Sequence, residues 1–280
     1  MAAAGTPLAE LFAKHRQDID TVLTKLHSFI HAHPEYDAVF TKDFVLDELL
    51  VTKYLLSSPK RLKKPTDTLA EVAYTALVAT LQFRLDNHQL FTRIASLDMI
   101  TVLNEGYFPM FVGGYLGSEL VVVSDFGAID LREISKQYDT AVDMAQRGLA
   151  SSEKIRAFLD LESHKTGKLV KMINVNNLTG ISLMRISSPK ALQGLGMVSA
   201  WNDEHNPQLM SRVCMVNTPM LVSTMIKMAK PFFSKSTMDK IALCKQSGSK
   251  KGQTLTSCPF LAKFGSEVAN QLPQSLGGVL

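Results

Sequence analysis

Three short runs of strand-forming residues constrain the fold of this 280-residue chain more than any other feature. They cover residues 119–124, 169–175 and 213–216, and each is rich in Val, Ile or Met and bounded by turn residues. About forty residues of helical character separate consecutive runs. Parallel strands need a long crossover connection, which is usually a helix. The spacing therefore predicts an α/β domain built on a mainly parallel sheet.

The N-terminal third of the chain has apolar residues at helical spacing only. Residues 8–33 predict one long amphipathic helix, broken once at most, and further helices are expected over 44–56 and 69–83. We therefore divide the chain into an all-helical N-terminal domain, residues 1–94, and an α/β domain, residues 95–280.

Composition excludes several classes of protein. No run of eighteen or more apolar residues is present, and the first residues lack the charged-then-apolar layout of a secretory signal, which predicts a cytoplasmic protein. A net charge of +4 is too small to predict nucleic-acid binding. Cys214, Cys244 and Cys258 are odd in number and widely spaced, so we expect reduced thiols and no metal site.

The segment after Pro219 is unusually apolar and rich in methionine. Residues at helical spacing form its main stripe: Leu221, Met225, Met228 and Phe232. Pro231 removes a backbone donor, so the helix should kink or stop there. Methionine packs adaptably against changing apolar partners. The pattern is compatible with an ordinary core helix, and it also fits a movable gate over an apolar ligand pocket.

A basic run follows the second predicted helix. Lys60, Arg61, Lys63 and Lys64 place four cations in five positions. Each cation contributes about 1 kcal/mol near an anionic bilayer, so the run predicts transient contact with a membrane surface. A solvated loop between two helices is the alternative.

Sequence motifs for catalysis are incomplete. Residues 57–60 and 187–190 both match S-x-x-K, a pattern that requires the serine and the lysine one helical turn apart. Pro59 and Pro189 instead indicate loops or helix starts. The G-x-S-x-G nucleophile elbow of hydrolases is also absent from the sequence. We therefore expect a protein that is not an enzyme.

Five blocks in the second part of the chain resemble the CRAL-TRIO lipid-binding family. Residues 120–131 resemble its first sheet strand, 177–182 its Asp-Leu-Lys-Gly-Ile-Ser turn, and 206–210 its Tyr-Pro-Glu-Arg-Met block. Residues 216–219 look like its Ile-Asn-Ala-Pro, and 230–233 look like the end of its gate helix. The blocks occur in the order and at the spacing of the family.

This resemblance implies an apolar lipid cage closed by a gate helix and preceded by a helical domain. It implies one bound hydrophobic ligand, a phospholipid such as phosphatidylinositol, that is transferred or presented between membranes without any required cofactor. Thr237, Lys240 and Gln208 fall at the positions that contact the headgroup. Met172 and Asn174 replace the Ser and Thr that hold phosphocholine in the family, which argues against phosphatidylcholine.

Two alternatives stay open under the same resemblance. Relatives hold haem, sterols, tocopherol or retinoids, and Tyr107, Tyr138 and His164 are conceivable axial ligands of a haem. The fold can also serve as an interaction module that carries little ligand. The sequence does not identify a protein partner.

Overall fold

The computed structural model describes residues 3–62, 64–104, 110–219, 222, 226–227, 230–232 and 235–245. Within these residues, helices occupy the N-terminal part of the chain, and a five-stranded sheet with its crossover helices follows. The predicted α/β class, preceded by a helical region, is therefore confirmed. The division after residue 94 stays a prediction.

Six α-helices precede the sheet in the part of the chain that the structure describes: α1 (Leu8–Lys14), α2 (Arg16–Ala32), α3 (Glu48–Ser57), α4 (Leu69–Asp86), α5 (His88–Ser96) and α6 (Met99–Asn104). The first predicted helix is broken once, at His15. The second begins four residues later than predicted, because the Asp47 carboxylate accepts the backbone N–H of Leu50 and caps the helix there. Helix α4 begins at the predicted residue, where Thr68 is the N-cap. Helices α2, α3 and α4 share one apolar core.

The sheet has the order β1 (Met110–Leu116), β2 (Glu119–Ser124), β3 (Lys171–Asn177), β4 (Met210–Thr218) and β5 (Ile241–Lys245). Strand β1 is antiparallel to β2, and the other three pairings are parallel, which confirms the predicted topology. The sequence pattern did not predict β1 or β5. Gly113 and Gly114 suggest a turn, whereas in the structure they lie at a β-bulge, with Gly114 at φ 110°. Strand β5 has only five residues, too few for a clear periodicity.

Crossover helices connect the parallel strands. Helices α7 (Leu131–Lys136) and α8 (Ala141–Thr166) lie between β2 and β3, and α9 (Leu183–Ile186) and α10 (Pro189–His205) lie between β3 and β4. A short helix, α11 (Lys235–Met238), precedes β5. Helices α8 and α10 pack together. The parallel connections place the amino ends of β2 to β5 along one edge of the sheet.

Buried ion pairs join the N-terminal helices to α8. Arg84 of α4 contacts Glu153 of α8 at 2.9 Å, and Arg156 contacts both Glu153 at 3.2 Å and Asp160 at 2.8 Å. Lys53 of α3 also pairs with Asp160. Burial by itself raises the pKa of Glu153, but the charges of Arg84 and Arg156, with hydrogen bonds from Arg84 and Asn206, outweigh it and lower the pKa to about 2. We call these five residues the interface network.

The cysteines correct one expectation. Cys214 is a buried thiol outside any disulfide, as predicted, but Cys244 is disulfide-bonded, so the prediction of reduced thiols is wrong for Cys244. Widely spaced cysteines with no motif give no information on spatial proximity, which the packing of the elements decides. Cys258 lies outside the described residues. Among the described helices, none combines the length and the hydrophobicity needed to span a bilayer.

Candidate ligand-binding site

A cleft of about 880 Å³ opens at the edge of the sheet where the parallel strands begin. We call it the polar cleft for its charged and amide side chains, although apolar atoms make up most of its lining. Helices α3, α4 and α10 form its walls, together with the residues that lead into β4 and β5. Its charged and amide side chains are Lys60, Arg61, Asp67, Glu71, Asp203, Glu204, Gln208 and Lys240. The cleft therefore offers both cations and carboxylates to a ligand.

A second, more enclosed cavity of about 280 Å³ lies next to the cleft. We call it the inner cavity. Its wall is predominantly apolar and includes Ile155, Leu195, Val198, Leu209, Met210, Val213 and Met215. Met172 and Asn174 of β3, both predicted to lie in the pocket, also line it. Four residues belong to both spaces: Asp203, Pro207, Gln208 and Lys240. The apolar interior thus adjoins a charged mouth.

The predicted headgroup residues lie on this shared boundary or beside it. Thr237 is buried on α11 and lines the inner cavity; its hydroxyl donates to Oδ2 of Asp203 at 3.3 Å and lies 2.9 Å from the Ser199 hydroxyl. Lys240 follows α11, and its ammonium group makes no salt bridge to a residue that the structure describes. Burial lowers the pKa of Lys240. The negative charge of Asp203 opposes this shift, and the positive charge of Lys60 adds to it.

Gln208 contacts Lys171, a residue that the sequence pattern did not indicate as part of the site. Nζ of Lys171, the first residue of β3, donates to Oε1 of Gln208 at 2.6 Å, and both side chains are buried. Burial lowers the pKa of Lys171 to about 8, and the charges of Lys240 and Lys53 act in the same direction, against Glu119. A lysine inside an apolar strand run was the available signal, because lysine is rarely buried.

The basic run contributes two of its cations to the same cleft. Lys60 and Arg61 line it, and Nη2 of Arg61 donates to the backbone carbonyl of Asp203 at 2.7 Å. This carbonyl belongs to the last turn of α10, where backbone acceptors lack helical partners. Lys60 and Lys64 are exposed, whereas Lys63 lies outside the described residues. The loop that is predicted to contact membranes therefore lines the same cleft as two of the predicted headgroup residues, Gln208 and Lys240.

The predicted gate is described only in part. Three of its residues lie outside the described part of the chain: Leu221, Met225 and Met228. Phe232 ends a one-turn 3-10 helix, Lys230–Phe232, which agrees with the interruption predicted at Pro231. Ile226 is half-buried and lines the inner cavity. The gate sequence therefore reaches the wall of this cavity.

The candidate haem ligands lie elsewhere. His164 is exposed near the end of α8, where Nε2 lies 2.8 Å from the Asp47 carboxylate. Tyr138 is half-buried, and its backbone carbonyl accepts a hydrogen bond from Lys190. Neither lines the polar cleft or the inner cavity. Tyr107 lies outside the described residues.

Comparison with known proteins agrees with this architecture. The family model for the CRAL/TRIO domain matches residues 119–278. The crystal structure of Sfh5 is similar, with a TM-score of 0.52 and 17% sequence identity over 72% of this chain and 68% of that chain. This likeness shows a shared fold. No curated protein sequence matches the chain significantly. Because the family model covers more than half of its residues, the chain belongs to the CRAL/TRIO domain family, whose members are lipid-binding and lipid-transfer proteins.

Proposed function

We propose that this protein binds a single molecule of phosphatidylinositol and transfers or presents it between membranes. The acyl region would occupy the inner cavity, and the headgroup would lie in the polar cleft. The observation that carries this proposal is the shared boundary of the two spaces, where Gln208, Lys240 and Asp203 separate an apolar wall from a charged mouth. An amphipathic ligand matches both sides of such a boundary.

The inner cavity would lower the cost of removing a lipid from its membrane. Each CH₂ group that enters water costs about 0.8 kcal/mol, so desorption of a long acyl chain is prohibitive without an apolar acceptor. At about 280 Å³ the cavity is smaller than a phospholipid with two long chains. The proposal therefore requires the cavity to enlarge, and Ile226 of the gate sequence belongs to the wall that would move.

The mixed charge of the cleft favours an inositol headgroup. A phosphate needs donors, which Lys240 can supply and which the Thr237 hydroxyl can supply by turning away from Asp203. Inositol hydroxyl groups can donate to carboxylates such as Asp203 and Glu204, which line the same cleft. Choline carries no hydrogen-bond donor and can interact with those carboxylates only through its charge. Phosphatidylinositol thus uses more of the cleft than phosphatidylcholine does.

The proposed function includes no covalent step. The hydroxyl groups of the two S-x-x-K matches bond to backbone: Ser57 donates to the carbonyl of Tyr54 at 2.8 Å, and Ser187 to that of Met184 at 3.3 Å. Both serines therefore have local structural roles. Binding, release and transient contact with a membrane surface are sufficient for lipid transfer.

The first test is mass spectrometry of the lipid that co-purifies with the natively isolated protein, followed by transfer of phosphatidylinositol between vesicles. We expect a bound phosphatidylinositol and a loss of transfer in Lys240→Ala of about tenfold or more, because a hydrogen bond to a charged group contributes about 1.5–3 kcal/mol. Lys235→Ala, which removes an exposed lysine of α11, is the matched control. A different ligand class, or equal transfer by the two variants, would overturn the proposal.

A further inference from the structure

The contact between Lys171 and Gln208 fixes the orientation of an amide at the boundary of the two cavities. Lys171 is 4% exposed and Gln208 is 7% exposed, and their Nζ–Oε1 distance is 2.6 Å. An ammonium group can only donate hydrogen bonds, so the amide must present its oxygen to Lys171. The assignment of Oε1 and Nε2 is thereby determined by chemistry.

The other end of the amide is available to a ligand. Nε2 of Gln208 carries two N–H donors, and it has no hydrogen-bond partner within the described part of the chain. Gln208 lines the polar cleft and the inner cavity, and Lys240 does the same. Nε2 is not among the fully buried side-chain atoms, so water can reach its donors in the free protein and a ligand acceptor would replace that water.

The backbone holds the same segment in place. Gln208 adopts φ 65°, a left-handed conformation that is uncommon for a residue with a side chain. The backbone N–H of Met172 donates to the carbonyl of Leu209 at 3.0 Å, which ties the segment to β3 directly after Lys171. Strand β3 therefore positions both partners of the Lys171–Gln208 contact.

We propose that Lys171 is a positioning residue that makes Gln208 a hydrogen-bond donor to the phosphate oxygens of the ligand. This inference rests on the proposed function and adds a specificity determinant to the same site. Phosphate ester oxygens accept hydrogen bonds, whereas hydroxyl groups both donate and accept. A hydrogen bond to an ionised acceptor is stronger than one to a neutral hydroxyl, so an amide that donates beside Lys240 favours an anionic phosphate ester over an uncharged alcohol. The same chemistry could be supplied by a lipid or by a soluble phosphate ester.

Three soluble probes test this inference by isothermal titration calorimetry: dihexanoyl phosphatidylinositol, dihexanoylglycerol and inositol 1-phosphate. The second lacks the phosphate together with the inositol, and the third lacks the acyl chains. We expect wild-type protein to bind the first most tightly. In Gln208→Glu, a carboxylate replaces the donor, and the affinity for dihexanoyl phosphatidylinositol should fall about tenfold or more. Lys171→Met should cause a smaller fall, about threefold to tenfold, because the amide can then rotate.

Dihexanoylglycerol distinguishes this role from a purely structural one. General damage to the pocket would weaken both diacyl probes, whereas loss of the donor should leave dihexanoylglycerol binding within about twofold of the wild-type value. Melting temperatures of both variants check their folding. If Lys171→Met is unstable, Gln208→Glu still tests the inference, because its carboxylate keeps an acceptor for Lys171.

The outcomes separate the inference from the proposed function. If the wild-type protein prefers dihexanoyl phosphatidylinositol and neither variant changes that preference, the role of Lys171 and Gln208 is wrong and phosphatidylinositol binding stands. If the wild-type protein shows no preference for the phosphate-bearing lipid over dihexanoylglycerol, both are wrong. Equal affinity for inositol 1-phosphate and the lipid, with the same loss in Gln208→Glu, would support the donor and overturn a lipid as its source.

Discussion

The interface network and the Lys171–Gln208 contact beside the polar cleft both contain buried charges, but they arrange them differently. In the interface network Glu153 contacts the guanidinium groups of Arg84 and Arg156, and all three side chains are about 5% exposed or less. Beside the cleft, the charge of Lys240 helps to lower the pKa of Lys171, and Lys171 donates to a neutral amide of the cleft wall. Opposite charges in contact favour one docked arrangement of the helices. Like charges close together raise the cost of folding and favour an anionic ligand.

This difference has a physical basis. Removing an ion from water costs several kcal/mol, which an opposite charge in good geometry can offset within the protein. In the interface network the offset comes from side chains of the same chain. At the cleft we propose that part of it comes from the phosphate of the bound lipid. Four changes test this contrast, beginning with the largest expected effect.

Glu153→Gln should destabilise the protein by about 3–5 kcal/mol, because it leaves Arg84 and Arg156 buried near a neutral amide. Urea unfolding measures the effect, and Glu133→Gln, at an exposed pair on α7, is the control. The affinity of the folded fraction for lipid should not change. A loss below about 1 kcal/mol would show that the interface network does not dominate the docking of the helices.

The buried ammonium group of Lys171 should make stability depend on pH in the alkaline range. Its pKa is about 8 in the folded protein and 10.5 when unperturbed, so between these values the unfolded chain binds more protons. The free energy of unfolding should therefore rise as pH increases from 8 to 10.5, and this contribution is lost as pH decreases from 10.5 back to 8. Each pKa unit corresponds to about 1.4 kcal/mol, which gives a total of about 3 kcal/mol.

Comparison with Lys171→Met isolates this contribution, because other titrating groups are present in both proteins. The stability of the variant relative to wild type should decrease by about 3 kcal/mol between pH 7.5 and pH 10.5. Denaturant unfolding at several pH values measures it. Parallel curves for the two proteins would mean that Lys171 does not have a lowered pKa.

Replacing Lys60 and Lys64 by Ala should weaken binding to vesicles that contain anionic lipid by about 1 kcal/mol for each charge. Both side chains are exposed, so stability should be unchanged within about 0.5 kcal/mol. Sedimentation with anionic and with neutral vesicles provides the measurement and its control. Equal loss on neutral vesicles would show that these lysines do not act through the membrane charge.

Lys136→Ala should have the smallest effect, at most about 0.5 kcal/mol in urea unfolding. Its pair with Glu133 lies at 2.7 Å, but both side chains are about 60% exposed, so water and salt screen the interaction. A loss comparable to that of Glu153→Gln would contradict the view that burial determines the value of these pairs.

The sequence predicted the elements that have strong local patterns. Strand β2 and the start of α4 fall at the predicted residues, because a run of β-branched residues and a threonine cap specify them locally. The sequence did not predict strand β1, because its two glycines suggest a turn. Pairing with β2 is what holds the backbone of these glycines in an extended strand. The resemblance to a family supplied Thr237, Lys240 and Gln208 as site residues. It did not supply Lys171, whose role depends on its neighbour in space.

The sequence by itself determined a helical N-terminal region, a mainly parallel sheet and a likeness to CRAL-TRIO proteins, because periodicity records which residues must be buried along each element. Only the tertiary structure decided that Lys60 and Arg61 face the same cleft as Lys240, that Glu153 meets Arg84 and Arg156, and that Lys171 reaches Gln208, a residue 37 positions away. Contacts between residues distant in sequence depend on how whole elements pack, and the local pattern of either partner does not encode them.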